Sequence, residues 1–473
     1  MKRNLAALVA SMVLLAAPAH AAATFDFIFD NAYPLSVSSD GSVVVGNDAS
    51  GGFVPFRWTQ AGGFVSLGRP SHIGGGGFAG VSSDGSKVAS SIGSLDSSYT
   101  TQGLWTQSGG WQELMPPVPA DGGISDGSYG NVWGFSGDGR VPVGLYWRPG
   151  AGQRAHASKW TQETGVVDLG GVLTGQASRA NCANYTGSVI GGWVETPQGP
   201  WRPAVWVNGT VTLLTDYDPS TTVGIGEARA VNPSGDIVVG FARDDMNNPR
   251  GVTKWTRTSG VFGPPEYLGW VDGTIQTGLN VPYGVSGDGN TIIGYCTFDG
   301  SPYNTTGFIW TPSTGVEDIN AWLADNGVLV DPNFTIQTMS AITPDGRKMF
   351  GSGQMLTPPY TRRAFRITRT DVLAAPAPEA AARVELSAPR PNPSRSSTRL
   401  DFALPTGGSV DLAIFDTAGR RVTTLVHGDQ PAGRSSATWD GREAGGQLAA
   451  TGLYFARLVT PNGAATQRVV RMN

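Results

Sequence analysis

Val37-Ser38-Ser39-Asp40-Gly41-Ser42-Val43-Val44-Val45-Gly46 is followed, after a connection, by Phe56-Arg57-Trp58-Thr59 and then by Gly63 and Leu67-Gly68. The same phrase returns far along the chain as Val285-Ser286-Gly287-Asp288-Gly289-Asn290-Thr291-Ile292-Ile293-Gly294, with Phe308-Ile309-Trp310-Thr311, Gly315 and Ile319 behind it. Asp-Gly between two β-prone runs marks a tight turn, because glycine accepts positive φ and aspartate bonds back to its own backbone. The turn anchor stands at Asp40-Gly41, Asp84-Gly85, Asp138-Gly139, Thr186-Gly187, Ser234-Gly235, Asp288-Gly289 and Asp345-Gly346, with glycines 44 to 57 residues apart. A unit of about 50 residues holding several short strands predicts the blade of a β-propeller. Seven units predict seven blades.

An aromatic strand follows each turn, carrying Trp58, Trp105, Trp160, Trp206, Trp255 and Trp310; the seventh copy, Ala364-Phe365-Arg366-Ile367-Thr368, has Ile367 instead. A large ring at one phase of every unit is expected to pack between neighbouring blades. The last copy lacks its final strand, whereas Thr24-Phe25-Asp26-Phe27-Ile28-Phe29 precedes the first turn. That N-terminal strand is expected to complete the last blade and close the ring, removing exposed edges.

Composition agrees with an all-β chain. Charged residues are 15% of 473, with 67 Gly and 32 Pro, a turn-rich mixture. A net charge of −4 and the lack of a basic run in the repeats argue against a nucleic-acid or anionic-membrane partner. Cys182 and Cys296 are the only cysteines, so disulfides cannot be the scaffold; falling in blades four and six, both are expected to be free and buried. At the N-terminus, Lys2-Arg3, an apolar run from Leu5 to Ala17 and Ala19-His20-Ala21 read as an export signal over residues 1–21. The run is too short to span a bilayer, and no later segment is apolar enough to do so.

The repeats resemble extracellular HAF-type repeats, which couple a Val-Ser-x-Asp-Gly turn to an Ala-Phe-Arg-Trp-Thr strand. The likeness is good at Phe56-Arg57-Trp58-Thr59 and Ala364-Phe365-Arg366, and loose in the fourth and fifth units, where the aspartate is lost. It implies an exported propeller-like domain over residues 22–370 and no defined activity.

Residues 371–384 are rich in Pro and Ala and read as an extended linker. Beyond them, over residues 385–473, alternating runs at Thr398–Leu404, Ser409–Phe415, Arg421–Val426, Ser435–Trp439, Leu453–Leu458 and Thr466–Met472 predict a small immunoglobulin-like sandwich. Pro391-Asn392-Pro393, Phe415-Asp416-Thr417-Ala418-Gly419-Arg420-Arg421-Val422, Trp439-Asp440-Gly441 and Gly452-Leu453-Tyr454-Phe455 occur in that order. In that order they resemble the type A C-terminal sorting domain of type IX secretion substrates and the related immunoglobulin-like domain of the flagellar hook-capping protein. The resemblance implies reading by an outer-membrane translocon, with Gly419, Arg420, Gly452, Leu453 and Tyr454 as sorting residues; Tyr454 suits either the core or a recognised face.

Residues that could carry chemistry are few. His72, His156 and His427 lie far apart and no His or Cys pair has ligand spacing, so no metal or cofactor is expected. The Ser-x-Asp-Gly segments supply one carboxylate each, which suits a turn better than calcium. The polar loop Asp244-Asp245 with Asn247-Asn248 is the better place for an incidental ion. A glycosidase needs two facing carboxylates; Glu195, Glu227 and Asp299 are candidates, each more in keeping with a solvated loop. Among tryptophans off the blade phase, Trp133, Trp147, Trp193, Trp201 and Trp270 are candidate ligand-binding residues, while Trp111 and Trp322 are off phase too. An exposed indole can stack on a sugar ring or anchor a partner. The favoured reading is a non-enzymatic binding protein, secreted or held at the outer-membrane surface, recognising a glycan or another extracellular polymer or protein. A secreted glycan hydrolase or lyase and a structural surface component are the alternatives.

Overall fold

The structure is a computed structural model that describes residues 23–49, 53–69, 77–95, 99–114, 129–147, 154–171, 176–196, 201–214, 226–242, 251–271, 280–298, 304–370, 384–389, 392–395, 397–404, 408–430, 433–461 and 463–472. The export-signal segment, almost all of the linker, His72, Asp299 and the Asp244–Asn248 loop lie outside the described residues. The chain divides into two compact units between Val372 and Leu373.

In the first unit the described residues form seven antiparallel sheets. Blade four is representative: Ser178–Ala183, Val189–Glu195, Trp201–Val207 and Thr210–Leu213 pair in chain order. The first strands of successive blades touch all the way round, the seventh against the first included, so the unit is a closed propeller. In blade seven, Ala23–Asp30 pairs with Arg362–Arg369, placing Phe25 opposite Ile367 and Phe27 opposite Phe365. The N-terminal strand therefore closes the last blade. Phe25 stacks on Phe365 at 4.9 Å, and Phe334 meets both rings edge-on.

The repeated tryptophans fill the gaps between blades. Trp206 donates from Nε1 to the carbonyl of Leu169 in blade three (2.9 Å) and packs with Val141 and Val143. Trp255 joins Val205 and Leu214 of blade four, and Trp310 joins Val239 and Val252 of blade five. Ile367 takes the same place against Ile293 and Ile309 of blade six. One departure is helical: Ile319 begins the helix Ile319–Asp325 instead of continuing a strand. Asp318 caps it, accepting from the amides of Asn320 (2.8 Å) and Ala321 (3.2 Å), which satisfies two otherwise orphaned donors. Trp322 is buried in the same core.

The turns hold the ring together at one end. Asp40 Oδ1 accepts from Ser38 Oγ (2.7 Å) and the Ser42 amide (2.9 Å), and Ser38 Oγ accepts from the Val43 amide (3.0 Å). Burial works against its charge, but these hydrogen bonds hold the Asp40 carboxyl below its ordinary value; Asp84 and Asp288 behave alike. In blades four and five Asn184 and Asn232 stand where the serine would be. Their Oδ1 atoms accept from the amides of Val189 (2.9 Å) and Ile237 (3.0 Å), so the turn survives loss of the aspartate. Each turn also reaches the next: Ser39 N to Ser83 O (2.9 Å), Ser83 N to Gly137 O (2.7 Å), Asp138 N to Tyr185 O (2.8 Å) and Tyr185 N to Pro233 O (3.1 Å). Asn232 Nδ2 to Gly287 O (2.9 Å), Gly287 N to Pro344 O (2.7 Å) and Lys348 Nζ to Asp40 O (2.7 Å) complete the circuit.

The second unit is an immunoglobulin-like sandwich. Glu385–Leu386, Thr398–Leu404 and Gly433–Trp439 form one sheet; Arg421–Gln430, Gly408–Phe415, Gly452–Thr460 and Gly463–Arg471 form the other. Its core gathers Leu400, Phe402, Leu412, Ile414, Trp439, Tyr454 and Leu458. Tyr454 is thus core: its ring meets Trp439 edge-on at 5.0 Å and its hydroxyl donates to the Ala450 carbonyl (2.7 Å). Gly419 takes φ +78° in the turn closed by Asp416. Arg420 is exposed and pairs with Asp416 and Glu443, while Gly452 and the exposed Leu453 open a strand.

Replacing Phe365 with Ala should cost about 3–5 kcal/mol, because a fully buried ring at the closure is lost and the site cannot collapse freely. The check is urea unfolding of the full chain followed by Trp fluorescence. An effect under about 1 kcal/mol would show that ring closure does not limit the propeller's stability.

Candidate functional site

The inner strands carry an irregularity that builds the site. Register is skipped at Leu35, Trp133, Asn181, Arg229, Tyr283 and Ser340, each a single residue that the adjacent strand does not match. Such bulges re-aim a side chain. All six residues, and Ala79 at the same place in blade two, line one cavity of about 400 Å³ at the centre of the ring. Every one lies six residues before the turn glycine of its repeat. Asn47, Tyr295 and Ser352, six residues after that glycine, line the cavity as well.

The bulge needs room, and glycine supplies it. A Cβ on Gly192 would lie 1.9 Å from the Arg179 carbonyl oxygen, and one on Gly240 1.9 Å from that of Glu227. The equivalent position is glycine in six repeats and Ser90 in blade two, whose first strand shrinks to Gly80–Val81 and pairs without a skip.

On the side formed by blades three to six the wall is charged and aromatic. Glu227 Oε2 accepts from Arg179 Nη2 (2.8 Å), Arg229 Nη1 (3.0 Å) and Asn181 Nδ2 (3.0 Å). Arg179 also donates from Nε to Asn181 Oδ1 (2.7 Å). The Arg179 guanidinium lies 3.9 Å from the Trp133 ring centroid and 5.4 Å from that of Trp193. Arg229 sits 5.0 Å from Tyr283 and 5.5 Å from Phe78. Burial opposes the charge on Glu227, yet Arg179 and Arg229 hold its carboxyl below the usual range. Burial lowers Arg179, whereas for Arg229 it is outweighed by Tyr283 and Glu227, which raise it. Burial and Tyr283 push the Tyr295 phenol up.

Three of the five candidate tryptophans meet here. Trp193 stacks on Trp201 with centroids 4.8 Å apart and planes 19° apart, and Arg179 links Trp193 to Trp133. Trp201 is 38% exposed, so the series runs from the surface to the cavity wall. It lies at the end of blade four opposite the turn, where Glu195 pairs with Trp201 across the strands. Trp270 lies elsewhere, packed with Leu268 against the core shared by blades five and six. Trp147 sits at the end of Pro142–Trp147, opposite Ala155. Trp111 donates to the Leu67 carbonyl (2.8 Å) as an interblade contact.

The other candidate groups are occupied structurally. Glu195 pairs with Arg154 and accepts from the Ala177 amide (3.1 Å). His156 Nδ1 lies 3.1 Å from Asp168 Oδ2, where blade six has Thr306 bonded to Asp318 (2.5 Å). Cysteine burial needs one correction: Cys296 is buried, but Cys182 is only half-buried because it borders the cavity. Neither cysteine forms a disulfide, and burial pushes the Cys182 thiol up to about 12. The candidate-site residues overlooked in the sequence are Arg179, Asn181, Arg229, Tyr283 and Asn47. Four of them carry a signal, a spacing of six residues from the turn glycine, whereas Arg179 stands eight residues before Gly187.

The model of the FlgD Ig-like domain matches residues 394–463. No curated protein matches the chain. Solved structures with a similar trace include TolB from Acinetobacter baumannii, with 12% identity over 59% of this chain and 60% of that chain, TM-score 0.36. The chain thus covers under two thirds of that relative. Oligogalacturonate lyase from Vibrio parahaemolyticus is 11% identical over 72% of this chain and 91% of that chain, TM-score 0.43. The β-propeller domain of the Trilobed protease from Pyrococcus furiosus is 10% identical over 72% and 95%, TM-score 0.43.

Glu227→Gln should destabilise the propeller by about 3–5 kcal/mol, because two buried guanidinium groups lose their shared carboxylate. The pH dependence has a definite sign. A carboxyl whose folded pKa is depressed adds stability above its unfolded value, near 4.3, and loses it as pH falls toward the folded value. The unfolding free energy of the wild type from urea titrations should therefore fall below pH ~4.3 by up to about 1.4 kcal/mol per pH unit more than that of the variant. Parallel curves would refute the charged state of Glu227.

Proposed function

We propose that this chain is an exported, non-enzymatic binding protein that recognises an extracellular glycan, another polymer or a protein along the series that leads from Trp201 to the central cavity. The observation that carries the reading is the continuous series from exposed Trp201 through Trp193 and Arg179 to Trp133, which borders a cavity of about 400 Å³. A flat, partly exposed aromatic pair beside an aromatic-lined hollow suits ligand capture. A hydrolase or lyase is the weaker reading: Glu227 is held ionised by three donors, which is wrong for a general acid at neutral pH. A purely structural role leaves the cavity and its charged wall without a task.

Export is part of the proposal. The N-terminal segment has the charge, apolar run and cleavage pattern of a Sec signal, and the C-terminal sandwich carries the motif order of a type IX sorting domain. In that reading exposed Arg420 and Leu453 would face the translocon, while Tyr454 supports the domain from within.

Glycan-array and surface-polymer binding by the purified full chain is the direct test. Trp201→Ala should weaken any specific binding by more than about tenfold while leaving circular dichroism unchanged. Retention of full binding would remove Trp201 from the site; a blank array with folded protein would exclude the glycan arm of the proposal. Deleting residues 385–473 should leave the propeller inside the outer membrane on cell fractionation, and unchanged surface delivery would refute the sorting role.

A further inference from the structure

We propose that the central cavity takes a sugar acid, its carboxylate at Arg229 and a ring hydroxyl at Asn47, a ligand class that rests on the binding reading above.

The charge on the wall calls for an anion. Two guanidinium groups, Arg179 and Arg229, share the single carboxylate of Glu227, so the cluster is one negative charge short. Among the described residues bordering the cavity, Arg229 is the charged one. Its Nη1 is engaged by Glu227, which leaves donors of the planar fork for a second carboxylate. A buried cation without full compensation is costly, and an anion from outside offsets that cost. On the other side of the ring Arg362 lies 4.5 Å from the Tyr33 ring centroid, behind another cavity-lining residue, and adds to the positive field.

The charge does not stand alone. Asn47 is 91% buried, borders the cavity, and its Oδ1 has no hydrogen-bond partner. A buried acceptor left unmet costs free energy, and a donor brought into the cavity beside Asn47 would lower that cost. An ionised carboxylate has none. A hydroxyl on the same molecule does. Phe78, Trp133 and Tyr283 line the hollow around Arg229, an aromatic wall that suits the C–H side of a saturated ring. Carboxylate, hydroxyl and compact ring together describe a sugar acid. About 400 Å³ accommodates one such unit, free or at the end of a chain.

Isothermal titration of the full chain with glucuronate, galacturonate, glucuronate methyl ester, glucose and benzoate separates these contributions. A uronate should bind at least about tenfold more tightly than the ester, glucose or benzoate, and should weaken with added salt. Arg229→Gln should weaken uronate binding by at least about tenfold with circular dichroism unchanged. Asn47→Leu should weaken uronate while sparing benzoate. Equal affinity for acid and ester in the wild-type chain would overturn the proposal even if Arg229→Gln failed to fold. Trp201-dependent binding of neutral glycans with uronates ignored would overturn it too, leaving the broader binding reading intact. No heat and no competition from any of the five compounds would also overturn it, and the array would then decide the binding reading separately.

Discussion

Each inner strand can bulge into the centre of the ring only because its neighbour has no side chain where the bulged backbone presses. At Gly192 and Gly240 the space that a Cβ would occupy is already filled by the carbonyls of Arg179 and Glu227. Those carbonyls belong to the residues of the ion cluster. The steric permission granted by a glycine in the second strand therefore sets which side chains of the first strand face inward. In blade two, where Ser90 replaces the glycine, the paired stretch ends at Gly80, one residue short of the bulge position held by Ala79.

A second constraint acts at the turn end. Serine and aspartate fold the turn onto itself, and its backbone reaches the neighbouring turn, so each repeat orders the next. Asn184 and Asn232 show that the chemistry counts for more than residue identity: a side-chain oxygen at the right height accepts the same amide. The ring thus tolerates loose repeats in blades four and five. Those two blades supply Arg179, Asn181, Glu227 and Arg229. Strict turns elsewhere and irregular chemistry here are compatible because the two ends of a blade answer to different residues.

The sandwich follows separate rules. Its sheets bury Trp439 against Tyr454, and the tyrosine hydroxyl finds a backbone acceptor, so a polar group enters the core at no net loss.

Period, turn chemistry and the recurring tryptophan determined the architecture from sequence, because they are local signals repeated often enough to be read in any one copy. The closing strand was legible for a related reason: the seventh repeat lacks one strand and the N-terminus has one to spare. The site was only half legible. Trp133, Trp193 and Trp201 stand out as off-phase indoles, but nothing local distinguishes them from Trp270, which packs into a core. Glu227 reads as a solvated loop residue until Arg179, 48 positions away, closes on it. Those pairings depend on bulges that turn particular side chains inward and on a ring that brings separate blades to one axis. A charge excess shared by two blades exists only once blades four and five pack side by side, so tertiary structure alone could decide it.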